Sequence, residues 1–593
     1  MSEQNYWQRT SGRRLSRRGV LRGSAVAGLG LAGAALVGCG DDDAQDAAGT
    51  PAPGGTAAAG TPAPGGTAAP AGEQPKYGGQ FRMSRAASPT GQYDPHTALN
   101  EQLAFWHFIG NFGTMMSQDG TEVIPELVES WETPGDGTEM ILKVRSNAKW
   151  HDRGVEAGRA LDAEDAVYNL LDIGARLKPE RAAEYHSRSL LAGMAGAEAV
   201  DDKTVRVRFD HPVSTFLPGL SHYRAHWVSK EWESSGGDWT DAESLVGTGP
   251  FTIEEFEPDQ RIVLKTNPEY WDEGLPYLDG VLQHIIPDTN SAITTFAQGA
   301  VDVVAGGNRV TRETVHKLVP DAVERKWQFV SWLHWRFNTA RKPFDDPRVR
   351  RALFLVPDYG HILTEYYGDG YTSPAAVMSA AYPEAYQAED ILKMPGYNPD
   401  TKEQDRKDAA ALMTAAGFPD GDIPFGILHY PGPFSEQSIR IQAALRGVWP
   451  KMGAELDLAP DTPSFAKRQA AGDFDTISYT IHGLPDMALE VVSNYHTQEG
   501  LSGGRNYGRF SDPKVDELAT AAVRELDREA RAEILREFED LALELMPAVG
   551  IGSDWGVEIF RPEIGGGEQW GGRLASGSRA QGGLAYRLWR KDV

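Results

Sequence analysis

Val246-Gly247-Thr248-Gly249-Pro250-Phe251, followed by Asn267-Pro268-Glu269-Tyr270-Trp271 and Leu278-Asp279-Gly280-Val281, is the most telling stretch of this 593-residue chain. Two glycines and a proline around one threonine permit a tight backbone turn and close strand packing. The same residues make a poor phosphate cradle. No Lys-Ser/Thr follows, as a P-loop needs, and no further glycine completes a dinucleotide fingerprint. The stretch therefore reads as scaffold between strands.

Outward from it, strands and helices alternate. Met140 to Arg145 and Thr204 to Phe209 read as strands, the second with Val205, Val207 and Phe209 alternating against polar residues. Asp162-Ala163-Glu164-Asp165 ahead of Val167, Leu170 and Leu171 predicts a capped helix with an apolar face. Asp346-Pro347 and Asp512-Pro513 place a cap and a first-turn proline before two more helices. Asp527 restarts a long amphipathic helix to about Leu545. This interleaving predicts an α/β fold, and the length implies more than one core.

Composition narrows the function. The chain carries 84 acidic and 58 basic side chains, a formal charge of −26, which argues against a nucleic-acid partner. One cysteine excludes disulfide frameworks, zinc ribbons and iron–sulfur clusters, and no cofactor is expected.

That cysteine, Cys39, closes an export signal. Ser16-Arg17-Arg18-Gly19-Val20-Leu21-Arg22 is a basic region, and Gly23 to Gly38 is uncharged. Such a stretch is too short and glycine-rich for a membrane span. Arg17-Arg18 resembles the twin-arginine export consensus, and Leu36-Val37-Gly38-Cys39 resembles a bacterial lipobox, which makes Cys39 a lipid anchor. Residues 1–38 are then a signal peptide. Their loss removes six arginines and one glutamate and takes the charge from −26 to −31. Residues 39–76 form a flexible tether: Thr50-Pro51-Ala52-Pro53-Gly54-Gly55-Thr56-Ala57-Ala58 recurs almost intact from Thr61 to Ala69.

Catalytic signals are weak. Gly500-Leu501-Ser502-Gly503-Gly504 fits the G-x-S-x-G pattern of a nucleophile elbow, but loop-like sequence lies on both sides where a strand and a helix are needed. No His-Glu-x-x-His occurs. His482, Asp486 and His496 are a conceivable metal set, with separate pocket or surface roles the plainer reading. A chain this large without a catalytic constellation points to binding.

A collinear series of motifs resembles the extracellular solute-binding proteins of family 5, the peptide- and nickel-binding receptors of ABC importers. It comprises Tyr77-Gly78-Gly79-Gln80-Phe81-Arg82, Tyr93-Asp94-Pro95-His96, Lys149-Trp150-His151-Asp152 and the 246–281 block. Gln298-Gly299-Ala300-Val301-Asp302-Val303, Phe337-Asn338-Thr339, Pro343 to Arg350 and Gly472-Asp473-Phe474-Asp475 continue it. The resemblance implies a two-lobed periplasmic-binding-protein type II fold (cluster C). Lobe I would comprise 77–97, 246–334 and 549–593, with an inserted subdomain at 98–245, and lobe II 335–548. It further implies a monomeric, non-enzymatic receptor, anchored by its N-terminal lipid on the outer side of the cell membrane. Such a receptor closes on a small-molecule or peptide ligand and delivers it to an ABC permease. A lone sensor or chaperone-like binder, or a hydrolase using Ser502, is the alternative.

Peptide-binding relatives pair the peptide ammonium with an aspartate in the pattern Ala-Asp-Tyr-Pro-Asp. The matching stretch here is His482-Gly483-Leu484-Pro485-Asp486, which puts Gly483 at the aspartate's place and leaves His482 or Asp486 as substitutes. Trp106, Trp332, Tyr479 and Trp555 are candidates to line the cleft through their aromatic faces. Arg85 is a candidate partner for a carboxylate, and Tyr93 and Asn338 complete the expected ligand-binding set. Peptide or modified peptide ranks first as ligand, oligosaccharide second and metal chelate third.

Overall fold

Strand β1 (Gln80–Arg85) is the first strand among the described residues. The computed structural model describes residues 74–98, 102–103, 105–117, 120–328, 330–430, 435–481, 483–498, 505–566 and 585–593. Arg17, Arg18, Cys39, the tether, His482 and Ser502 lie outside the described residues. Among the described residues, no helix is long and apolar enough to cross a membrane.

The next four large strands form their own antiparallel sheet. They are β2 (Val128–Glu132), β3 (Glu139–Val144), β4 (Met194–Asp201) and β5 (Thr204–Phe209), in the order β2-β3-β5-β4. Helix α1 (Ala163–Ile173) packs on β4 and β5. Its start is the reciprocal capping box that the spacing predicts: the Asp165 N–H donates to the Asp162 carboxylate, and the Asp162 N–H donates to Asp165.

With β1, the chain beyond residue 250 builds one twelve-stranded sheet. Its strands are β1, β6 (Phe251–Glu257), β7 (Arg261–Thr266), β8 (Gly280–Ile285), β9 (Val303–Ala305), β10 (Val323–Gln328), β11 (Trp332–Phe337), β12 (Thr372–Ser373), β13 (Pro424–His429), β14 (Gly453–Leu458), β15 (Thr476–Ile481) and β16 (Ala548–Phe560). The order is β14-β13-β15-β11-β16-β9-β1-β8-β7-β6, with β10 and β12 also paired to β16. β1 runs parallel to β8, with Phe81 opposite Val281. All six residues of β11 are buried, as expected of a strand covered on both faces.

β16 joins the halves of this sheet. Its first part, Ala548 to Gly552, pairs with β11; its last part, Trp555 to Phe560, pairs with β10. The ladder slips between Leu333 and His334, near the point where β16 changes partner. Helices α2 (Pro347–Leu355), α3 (Met487–Tyr495), α4 (Pro513–Arg524) and α5 (Arg528–Leu545) fill the region between β11 and β16 in sequence. Asp346, Asp512 and Asp527 cap α2, α4 and α5 as the sequence predicts.

The Gly-Thr-Gly-Pro stretch acts through close approach. A Cβ on Gly247 would sit 1.9 Å from the Ile109 carbonyl oxygen, and one on Gly249 would sit 2.5 Å from the Ile109 carbonyl carbon. The Gly249 N–H donates to Ile109 at 2.8 Å. His151, from the Lys149 to Asp152 motif, locks onto the same turn. Its Nδ1 accepts from the Gly247 N–H at 3.2 Å and its Nε2 donates to the Gly249 carbonyl at 3.0 Å. Burial holds that imidazole neutral, its pKa down to about 4.

Candidate functional site

Residues between 185 and 224 share the lining of a cavity of about 340 Å³ with residues of 469–481, Leu484 and residues of 505–507. The first group brings Tyr185, His186, Arg188, His222, Tyr223 and Arg224; the second brings Tyr479, Thr480, Leu484, Arg505 and Tyr507. Tyr479 and Thr480 come from β15, which holds its register against β11 through the pairing of His334 with Tyr479.

Beneath the cavity lies a buried polar network. Glu490, on α3, is fully buried; its carboxylate accepts from the Leu484 N–H at 2.7 Å and from the Asn494 side chain, and stands 3.7 Å from Arg505. Arg336, from β11, donates to the Arg505 carbonyl at 3.0 Å and to Asn494 Oδ1 at 3.1 Å. One carboxylate thus anchors both the 483–486 loop and the guanidinium that lines the cavity. Burial opposes the charge of Arg505, and Glu490 together with Tyr507, Tyr479 and Tyr223 outweighs that penalty.

The electrostatics are one-sided. Desolvation and the guanidiniums of Arg224 and Arg188 push His186 down to about 4. His222 falls well below the usual histidine range through burial and through Arg224, Arg505 and His226. His334, behind Tyr479, is depressed by burial, Arg336 and Arg505, and neither of its ring nitrogens has a hydrogen-bond partner among the described residues. The buried phenol oxygen of Tyr479 likewise has none, and burial raises its pKa, so it stays protonated and available as a donor.

A second cavity, of about 60 Å³, shares the 483–486 loop: Leu484 lines the first, Pro485 and Asp486 the second. Here Asp486 caps α3 through the N–H groups of Ala488 and Leu489, and its other oxygen pairs with Arg531 at 3.2 Å. Tyr382 completes the wall and donates from its hydroxyl to the Leu484 carbonyl at 2.8 Å. Gly483 lies against the crossing between β10 and β11. A Cβ there would be 2.4 Å from the Val330 carbonyl oxygen and 2.7 Å from the Tyr382 hydroxyl.

Of the residues singled out in the sequence, Tyr479 lines the first cavity and Asp486 the second. Trp332 is fully buried, edge-on to Tyr382 and His334. Trp106, also fully buried, donates from Nε1 to the Tyr93 carbonyl at 2.6 Å. Tyr93 borders a separate hollow of about 490 Å³ formed with Pro89 to Gly91 and Thr240 to Glu243. Arg85 donates from Nε to the Ala87 carbonyl. Asn338 donates to the Gly472 and Phe474 carbonyls, at 2.9 and 3.1 Å. Trp555 is partly buried, with the Lys326 ammonium 5.2 Å from its ring centre. His496 accepts from the Gln498 N–H and stands 3.9 Å from Asp516. These six (Trp332, Trp106, Tyr93, Arg85, Asn338 and Trp555) do not line the 340 Å³ cavity.

The arginines of the cavity were not among the sequence candidates. Their signal is a repeated triplet, His186-Ser187-Arg188 and His222-Tyr223-Arg224, which places a histidine and an arginine at the same spacing twice.

The model of the bacterial extracellular solute-binding proteins, family 5, matches residues 122–501. The chain belongs to that family. It is 25% identical to the dipeptide-binding protein of Escherichia coli K12 over 465 residues, covering 75% of this chain and 83% of the relative. Two solved structures share the fold. The ABC transporter-associated periplasmic binding protein DppA from Helicobacter pylori, in complex with the peptide STSA, superposes with a TM-score of 0.72 at 19% identity, covering 87% of this chain and 99% of that one. The binding protein AgaA from A. tumefaciens R10, in complex with agropinic acid, gives 0.70 at 21% identity, covering 86% and 99%. The expected two-lobed α/β architecture of periplasmic binding proteins is therefore the fold of this family 5 member.

Proposed function

We propose that this family 5 protein is the extracytoplasmic receptor of an ABC importer, one that captures a peptide or peptide-like solute between two lobes and delivers it to a permease. The observation that carries the reading is the 340 Å³ cavity, whose walls come from segments far apart in the chain. Pockets of this size, lined by convergent polar groups, suit a small solute. The E. coli relative is named for dipeptides, and AgaA holds agropinic acid, so the family scaffold serves peptides and other small solutes.

In this reading lobe I is 77–97, 246–334 and 549–593, carrying 98–245 as an inserted subdomain, and lobe II is 335–548. The lobes hinge where β10 passes into β11 and where β16 changes partner. A ligand favours the closed form only by its extra contacts there. No bond is broken. Cys39 carries the lipid that tethers the monomer to the outer side of the cell membrane, after export through the Arg17-Arg18 signal. Cys39→Ser then moves the protein from the membrane fraction to the soluble one.

A thermal-shift screen against peptides, oligosaccharides and nickel chelates tests the central reading. A true ligand raises Tm progressively with concentration and is recovered unchanged. Steady conversion of any of these compounds would instead indicate an enzyme.

A further inference from the structure

Three guanidiniums, those of Arg188, Arg224 and Arg505, line the 340 Å³ cavity, and among the described residues no Asp or Glu lines it. Glu490, behind Arg505, is already engaged by the Leu484 N–H and the Asn494 side chain. Arg188 donates to the Ala182 carbonyl, and Arg224 donates to the Ala98 carbonyl. The remaining polar character is donor-rich, with the Tyr479 hydroxyl buried and without a partner among the described residues.

We propose that this cavity receives a solute bearing two or more oxyanion groups, carboxylates foremost, held between Arg188 and Arg224 on one side and Arg505 on the other. The inference rests on the receptor reading and narrows its ligand class. A guanidinium presents planar, paired N–H donors that match a carboxylate or phosphate, and such charge-assisted bonds are strong in a partly desolvated site. An isolated ammonium would find three like charges here. At Gly483, next to the cavity-lining Leu484, the Val330 carbonyl occupies the space a carboxylate side chain would need. The oxyanion bridges the two walls, so it also supplies the contacts by which a ligand favours closure. Both histidines nearest the arginines are held neutral, by burial first and by the arginines' field second, and an incoming anion would relieve the second.

The test is calorimetric titration of the full chain at pH 7 with tricarballylate, its neutral triamide, inorganic phosphate and the peptides Ala-Ala-Ala and Lys-Ala-Ala. Tricarballylate should bind, the triamide and Lys-Ala-Ala should not, and Arg188→Gln and Arg224→Gln should each weaken the acid about tenfold or more. Phosphate binding more tightly than tricarballylate would leave an oxyanion site but overturn the requirement for two or more groups. Arg505 also supports the loop, so Arg505→Lys is read only alongside the two other variants and their unliganded melting temperatures. The proposal is overturned if the triamide or a cationic peptide binds as well as the acid. It falls equally if neither oxyanion binds at millimolar concentration, or if the arginine variants that keep the wild-type Tm bind the acid unchanged. Tight binding of Ala-Ala-Ala or Lys-Ala-Ala alone would sink the oxyanion site while leaving a solute receptor standing; conversion of a probe to product would sink the receptor reading itself.

Discussion

The Val330 carbonyl stands so close to Gly483 that a Cβ at that position would lie 2.4 Å from its oxygen. The contact ties the crossing between β10 and β11 to the loop that separates the two cavities. It also accounts in physical terms for a glycine where the resemblance to peptide receptors implies an aspartate. Gly483→Asp is expected to destabilise the protein by about 1–3 kcal/mol through overpacking and to confer no affinity for dipeptides. Denaturant unfolding and titration with Ala-Ala read the two effects separately. A stable variant with new dipeptide affinity would contradict the packing argument.

Asn338 is a structural tie. Its buried amide donates to the Gly472 and Phe474 carbonyls and its oxygen accepts from the Ala340 N–H. Asn338→Ala leaves those carbonyls unsatisfied and should cost about 1–3 kcal/mol in urea unfolding. Affinity for a cavity ligand should change less than threefold, because the side chain does not line the cavity.

Glu539 gives the fold a pH dependence of predictable sign. Burial lifts its pKa to about 8, against a partial offset from the Tyr386 N–H that donates to it at 2.8 Å. A carboxyl raised in the folded state favours folding fully below its unfolded pKa, and that contribution is lost as pH rises through the folded value. Tm should therefore fall between pH 5 and 9 more steeply in the wild type than in Glu539→Gln, with the variant ahead at pH 9 by about 2 °C or more. Parallel curves would show that Glu539 does not titrate in this window.

His186 should couple anion binding to protons. Burial, and after it Arg224 and Arg188, hold it down to about 4, and a bound oxyanion would offset the two arginines. Binding of tricarballylate at pH 5 is therefore expected to take up protons. Calorimetry in buffers of different ionisation enthalpy measures the uptake, and His186→Gln should reduce it. The same net proton exchange in the wild type and in His186→Gln, after allowing for the acid's own carboxyl protons, would contradict the electrostatic picture.

Local features were legible in the chain alone. Asp162, Asp346, Asp512 and Asp527 announce their helices because a cap is decided within one turn of backbone. The Gly247-Thr248-Gly249 turn and the His151 motif stand far apart in the chain, and they prove to be halves of one contact. The cavity was not legible in the same way. Arg188 and Arg224 meet Arg505 only because β15, flanking β11, carries the 483–507 segment back toward segment 185–224, and no local pattern encodes that juxtaposition. Aromatic candidates were hard to assign from sequence for a related reason. Trp106 and Trp332 are large enough to be valuable in a core, and both are fully buried there.

The most direct measurement is small-angle scattering of the full chain, titrated with the compound that calorimetry identifies, alongside chromatographic recovery of that compound. A receptor that closes on its cargo should contract as sites fill and release the compound unaltered on denaturation. An outline that stays the same at saturation while the compound is used up would contradict the account.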